Sequence, residues 1–204
     1  MVARIAREPE TMLAEEMKGV LAFLKSAEKL KDTLRSGHTS GGRGESTAEH
    51  TWRLCLMVLV FARELPGIDV LKLLKLCIVH DLGEALSGDI PAIFQTEGAH
   101  KSEQERSDLQ VLTQPLPPAQ RSEILSLWEE YEAASSPEAV LAKGFDKLET
   151  ILQHNQGLNP ADFDYAFNLT YGLKQTSAHP LVASLRAILD EETRAHATEQ
   201  GRIR

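Results

Sequence analysis

The sequence predicts an all-α protein, a single-domain helical bundle, on three observations. Apolar residues recur at helical spacing over most of the 204-residue chain, and Pro and Gly punctuate those runs where helices should start and stop. Strand-like alternation is nearly absent, and no internal repeat or low-complexity stretch stands out. A 42% hydrophobic share is enough apolar surface for one substantial core.

The elements follow in order. A first helix spans roughly 10–34, then a polar, Gly-rich loop runs from Arg35 to Glu45. Ser46 and Glu49 have the spacing of a capping box and open a helix over 47–64. Pro66-Gly67 breaks it, and a very apolar helix covers 69–86 until Gly88 ends it. Asp89-Ile90-Pro91 starts the next segment, with Asp89 suited to an N-cap. Further helices are expected over 99–113, 118–133, 137–154, 162–174 and 180–197, separated by Pro-containing breaks. We expect one domain over 1–204, with a core of about 10–155 and the helices of 162–197 packed on it.

A net charge of −8 and a pI near 5.4 argue against binding a nucleic-acid polymer, which needs a basic surface. No basic run suggests a membrane-surface helix, no stretch reaches transmembrane length, and residues 1–10 lack an apolar signal core. Cys55 and Cys77 both lie in apolar helical runs and read as reduced core thiols. The expectation is a soluble, cytoplasmic protein.

The chemistry concentrates at His80-Asp81, inside the otherwise apolar run 70–86. On a helix of about 100° per residue, His80, Asp81 and Glu84 share an arc away from Lys72 and Lys75. Carboxylates are not favoured at a helix C-terminus, so a frayed end explains them poorly. A divalent cation would compensate such groups together. His50 shares a helical face with Leu54, Met57 and Phe61; alone it suits a core histidine, and the His-Asp pair makes a ligand the better reading. Asp146 lies off the apolar stripe of its helix, on an arc with Ala139, Ala142 and Gln153, while Lys143 and Lys147 point elsewhere. Periodicity alone leaves it an exposed carboxylate. Glu84 and Asp89 are candidate proton-transfer groups, although capping explains Asp89 equally well. Arg35 and Arg43 bracket the Gly-rich loop and could grip a phosphate. His154 reads as a C-terminal cap, and Trp52, Trp128 and Phe94 as packing residues. No Ser-His-Asp order, Walker loop or Cys-x-x-Cys pair competes.

These residues resemble a known set. Arg43-Gly-Glu-Ser-Thr-Ala-Glu-His50-Thr, His80-Asp81-Leu-Gly-Glu84, Ser-Gly-Asp89-Ile and Phe145-Asp146-Lys-Leu-Glu149 together are similar to the HD-domain phosphohydrolases, in their 5′-deoxynucleotidase branch, from about Leu30 to His154. The resemblance implies an all-α bundle, often a homodimer, with His50, His80, Asp81 and Asp146 as metal ligands. It implies water activation and proton transfer by Glu84 and Asp89, and phosphate binding by Arg35 and Arg43. One divalent ion per chain (Mn, Co, Zn, Fe, Ni or Mg) is expected, because binuclear relatives place two more histidines between the positions of Asp81 and Asp146, where this chain has only His100. The implied reaction is hydrolysis of a small-molecule nucleotide, a nucleoside 5′-monophosphate, to nucleoside and phosphate. A nucleotide-sensing module without turnover, or a hydrolase of cyclic nucleotides or (p)ppGpp, is the alternative. Relatives carry a Trp after the first loop arginine; Ser36-Gly37-His38 stands there instead, which implies weaker discrimination between deoxyribose and ribose.

Overall fold

The computed structural model describes residues 12–89 and 100–203. Phe94 and the start of the segment after Asp89 lie outside them. The helices are α1 (Ala14–Ala27), α2 (Thr47–Phe61), α3 (Val70–Val79), α4 (Glu84–Ser87), α5 (His100–Leu112), α6 (Pro118–Ala133), α7 (Pro137–Gln156), α8 (Tyr165–Asn168), α9 (Leu173–Thr176) and α10 (Pro180–Glu199). Short 3-10 turns, Glu28–Lys31 and Ala62–Glu64, extend α1 and α2. Capping sets several of the starts: Ser136 accepts from the Ala139 amide with Pro137 at the first helical position, and Asp69 accepts from the Lys72 amide.

The helix α7 is the axis of the molecule, packing against α2, α3, α6, α9 and α10. Its buried positions occupy most of its circumference, as a helix surrounded by others requires. One apolar cluster gathers Leu54, Val58, Leu73, Leu76, Phe145 and Leu148 where α2, α3 and α7 meet. A second gathers Phe23, Leu109, Leu112 and Trp128 with Val79 and Leu82. Trp128 is therefore core, whereas Trp52 is 65% exposed. Cys55 and Cys77 are free thiols.

Three expectations need correction. The 10–34 helix ends earlier, and the loop after it is a hairpin: β1 (Leu34–His38) pairs antiparallel with β2 (Gly44–Ser46), Leu34 opposite Ser46 and His38 opposite Gly44. Its Gly-rich strands lack the alternating pattern that announces a strand. They are held from outside, with the Gln153 side chain donating to the His38 carbonyl at 2.5 Å. The 69–86 helix is interrupted after Val79, and a tight turn through His80–Gly83 precedes α4. Gly83 approaches α5 so closely that a Cβ there would lie 2.7 Å from the Glu105 carbonyl oxygen. The 162–174 helix is two short pieces, α8 and α9, separated by a turn that ends at Gly172 with φ +66°.

The capping box of α2 forms as expected: the Ser46 hydroxyl accepts from the Glu49 amide, and Glu49 Oε2 accepts from the Ser46 amide at 2.9 Å. Arg43 joins it with two hydrogen bonds to the same carboxylate, at 3.0 and 2.5 Å. Those bonds, foremost the one from Arg43, pull the Glu49 carboxyl down to about 2. A folded-state value below the unfolded one gives stability that is present above about pH 4.3 and lost as pH falls toward 2. Glu49→Ala should therefore cost about 1 kcal/mol at neutral pH. The difference from wild type should shrink steadily between pH 4 and 2 in chemical denaturation. A pH-independent difference would remove the ionised carboxylate as its cause.

Candidate metal centre

His50 on α2, His80 at the C-cap of α3 and Asp146 on α7 converge on one buried point, their candidate ligand atoms all within 4.8 Å of one another. His50 Nε2 lies 3.2 Å from Asp146 Oδ1. His80 Nε2 lies 3.0 Å from Asp81 Oδ2 and 3.9 Å from Asp146 Oδ1. Asp81 Oδ2 also stands 3.8 Å from His50 Nε2, so the turn after α3 delivers both members of the His-Asp pair.

The tautomers decide what this cluster can hold. His50 Nδ1 bonds the Glu149 carboxylate, and His80 Nδ1 bonds the Cys77 carbonyl oxygen at 2.8 Å. Both partners are acceptors, so in the neutral rings the proton sits on Nδ1 and each Nε2 carries a lone pair. Both Nε2 atoms are buried and, among the described residues, have no hydrogen-bond partner. Two lone pairs facing two carboxylates call for positive charge between them, which a proton or a bound cation supplies. The geometry and donor chemistry suit a divalent metal with imidazole and carboxylate ligands.

The electrostatics show the same deficit of positive charge. Burial and Arg35 both push the His50 imidazole toward neutrality, yet the Glu149 and Asp146 carboxylates raise it to about 9. Burial also opposes ionisation of Asp146, but Lys147 and the two histidines hold it well below the carboxylate range. Asp146 Oδ2 accepts from the Tyr131 hydroxyl at 2.9 Å and meets Lys147 Nζ at 2.9 Å. Lys147 thus does not point elsewhere: α7 is enclosed, and its stem folds back onto the neighbouring carboxylate.

Arg35, on β1, donates to Asp81 Oδ2 at 3.2 Å and to the Thr150 hydroxyl at 3.1 Å. Behind it stands the buried Glu45, 3.8 Å from Nε. Glu84, at the first position of α4, accepts from the Thr47 hydroxyl at 3.2 Å and lies 3.9 Å from Lys101 Nζ. Burial, and then the Asp81 and Asp89 carboxylates, raise Glu84 to about 9. A cavity of about 670 Å³ opens on these groups; Arg35, His80, Asp81, Glu84, Asp89 and Asp146 all line it. His50 sits behind them, fully buried. Arg43 is the exception. Its guanidinium is spent on Glu49 at the protein surface, and it does not line the cavity.

Sequence reasoning left several participants unassigned. Glu149 lies three residues after Asp146, where a helix returns to the same side, and Arg53 Nε holds its other oxygen at 2.6 Å. Thr150 and His154 follow Asp146 at intervals of four, a stripe the α7 periodicity contains. His154 does not cap its helix: it reaches Asn168 at 3.1 Å and Ser36 at 3.4 Å, and it lines the cavity. Tyr131 and Lys101 come from separate helices and carry no local signal.

Comparisons with known proteins bear on this site. Residues 27–186 match the family model described as HD domain. The chain is 33% identical over 188 residues to a 5′-deoxynucleotidase HDDC2 of Dictyostelium discoideum, covering 86% of this chain and 99% of that one. It is 33% identical to a 5′-deoxynucleotidase HDDC2 of Danio rerio, over 91% of this chain and 93% of the relative. A solved structure described as a predicted metal-dependent phosphohydrolase, from Magnetospirillum magnetotacticum, aligns with a TM-score of 0.75 at 28% identity, covering 93% and 96% of the two chains. The matched span takes in every element that supplies His50, His80, Asp81 and Asp146, and this protein belongs to the HD domain family.

Proposed function

We propose that the protein is a metal-dependent phosphomonoesterase that hydrolyses nucleoside 5′-monophosphates, deoxynucleotides included, to nucleoside and phosphate. The observation that carries this reading is the pair of bare, buried Nε2 atoms of His50 and His80 facing Asp81 and Asp146, in a cavity that also holds Arg35 and Glu84. The relatives named as 5′-deoxynucleotidases support the substrate class.

In this reading His50, His80, Asp81 and Asp146 hold one divalent ion. Such an ion supplies positive charge to a phosphoryl oxygen and acidifies water. Arg35 neutralises charge on the phosphoryl group. Glu84 accepts a proton from the attacking water as its oxygen bonds phosphorus, and Asp89 returns a proton to the departing 5′ oxygen. Burial favours protonated Glu84, and positive charge at the four ligands favours the carboxylate it needs. Arg43, held by Glu49, has no part in this scheme.

The substrate assignment is tested by assaying purified, metal-supplemented protein against matched pairs, dAMP with AMP and dGMP with GMP, beside cyclic nucleotides and (p)ppGpp. Monophosphates should be cleaved, with weak preference between the sugars because Ser36 follows Arg35. Turnover of cyclic nucleotides alone would end the nucleotidase reading.

The ligand and proton-transfer roles separate by mutation. His80→Ala and Asp146→Ala should lose the metal in elemental analysis, lose activity, and lose the thermal stabilisation that metal binding gives. Glu84→Gln should retain the metal while kcat falls roughly 10²–10⁴-fold. A Glu84→Gln enzyme that turns over normally refutes its proton-transfer role, and one without metal moves it into the ligand set.

We further assign a cytoplasmic homodimer. Among the described residues no helix is long and apolar enough to cross a membrane. Trp52, Leu56 and Leu59 form an exposed apolar stripe along one face of α2, of the kind that marks an interface. Sedimentation should give a dimer at micromolar concentration, and Trp52→Glu should give a monomer; a monomeric wild type refutes the assignment.

A further inference from the structure

The cavity continues well beyond the space a phosphate group fills. Its aromatic end is lined by three half-buried rings, Phe163, Phe167 and Tyr171, the last adjoining Lys147 beside Asp146. Phe167 and Tyr171 stack with centroids 5.5 Å apart, and Phe163 meets the His154 ring edge-on at 4.8 Å. Asn168 lies among them, fully buried and lining the same cavity. Its Oδ1 accepts from His154 Nδ1 at 3.1 Å, while its Nδ2 has no hydrogen-bond partner among the described residues. A buried donor left without an acceptor is costly, and here its residue lines a cavity.

The mount is rigid. Arg186, a buried side chain of α10, donates to the backbone carbonyls of Asn168 at 2.6 Å and Tyr171 at 2.7 Å, and it pairs with Asp190 at 2.5 Å. The charge nearby is mixed: Lys147 Nζ, paired with Asp146, stands 5.2 Å over the Tyr171 ring. Asp162 and Asp164 flank Phe163 and line the cavity, which disfavours a second phosphate at that end.

We propose that this end of the cavity is a nucleobase subsite, in which the rings receive the flat face of the base and Asn168 Nδ2 donates to an acceptor on its edge. The inference rests on the nucleotide-phosphatase reading of the metal end. Stacking is sequence-tolerant, and purines and pyrimidines all carry an edge acceptor. The subsite therefore grips every base and selects weakly among them.

The test compares dAMP with 2-deoxyribose 5-phosphate, which has the phosphate and sugar without the base. Wild type should prefer dAMP in kcat/KM. Phe167→Ala should reduce that preference roughly 5- to 150-fold, the range found for loss of one stacking partner. Asn168→Asp keeps an oxygen that accepts from His154 and replaces the donor with a carboxylate oxygen that repels an acceptor on the base, so it should reduce the preference even if Phe167→Ala folds poorly. Calorimetric titration with deoxyadenosine supplies a readout without turnover: wild type should bind, and both variants should bind more weakly. Equal use of the two phosphates by wild type, or a preference unchanged in both variants, overturns the subsite while leaving the phosphatase intact. Failure to hydrolyse either phosphate defeats the phosphatase reading instead. The titration then decides the subsite alone, and no binding of deoxyadenosine by wild type overturns it.

Discussion

His50 meets Asp146 at 3.2 Å where α2 crosses α7, both side chains buried. Neither group would be stable there alone, because each loses hydration that a protein interior does not replace. The surroundings answer piece by piece. Glu149 orients His50 from behind, Arg53 neutralises Glu149, and Tyr131 and Lys147 hold the outer oxygen of Asp146. The inner atoms, two imidazole lone pairs and the facing carboxylates, are left to a cation. Each ligand is thus oriented by a partner of its own, which limits the ordering cost of binding.

That arrangement constrains the chain around it. A continuous helix through 86 would hold His80, Asp81 and Glu84 on one rigid arc. The interruption after Val79 instead lets His80 accompany the buried end of α3, lets Asp81 face Arg35, and restarts the helix with Glu84 beside Thr47. Gly83 makes the turn compatible with α5, since any side chain there would collide with the Glu105 backbone. The hairpin plays a comparable part: its first strand carries Arg35 into the site and Ser36 to His154, while its turn leaves Arg43 outside.

The helical architecture was legible because the periods are long and the caps sit where physics prefers them. The bounds 118–133 coincide with α6, and 137–154 falls two residues short of the end of α7. The β1–β2 hairpin was not legible, because Leu34–His38 and Gly44–Ser46 have no apolar face of their own and pair only against α7. Nor were the breaks at Gly83 and Gly172, where an isolated glycine looks tolerable within a helix until a neighbour's position is known. In the site, ordered motifs singled out His50, His80, Asp81, Glu84 and Asp146, while Tyr131, Lys101 and Asn168 belong to no local pattern.

By itself the sequence determined the helical class, the capped start of α2, the proline-led starts of α6, α7 and α10, and the residue types able to hold a divalent ion, since these depend on neighbours within a few turns. Only the tertiary structure decided that Arg35 enters the cavity while Arg43 pairs with Glu49, and that Lys147 turns toward Asp146. It also decided that an aromatic wall lines the same cavity beside Asn168, whose amide nitrogen has no partner among the described residues. The reason is common to all three: where a long side chain ends depends on which charges and surfaces other helices bring within its reach, and no spacing along the chain records that.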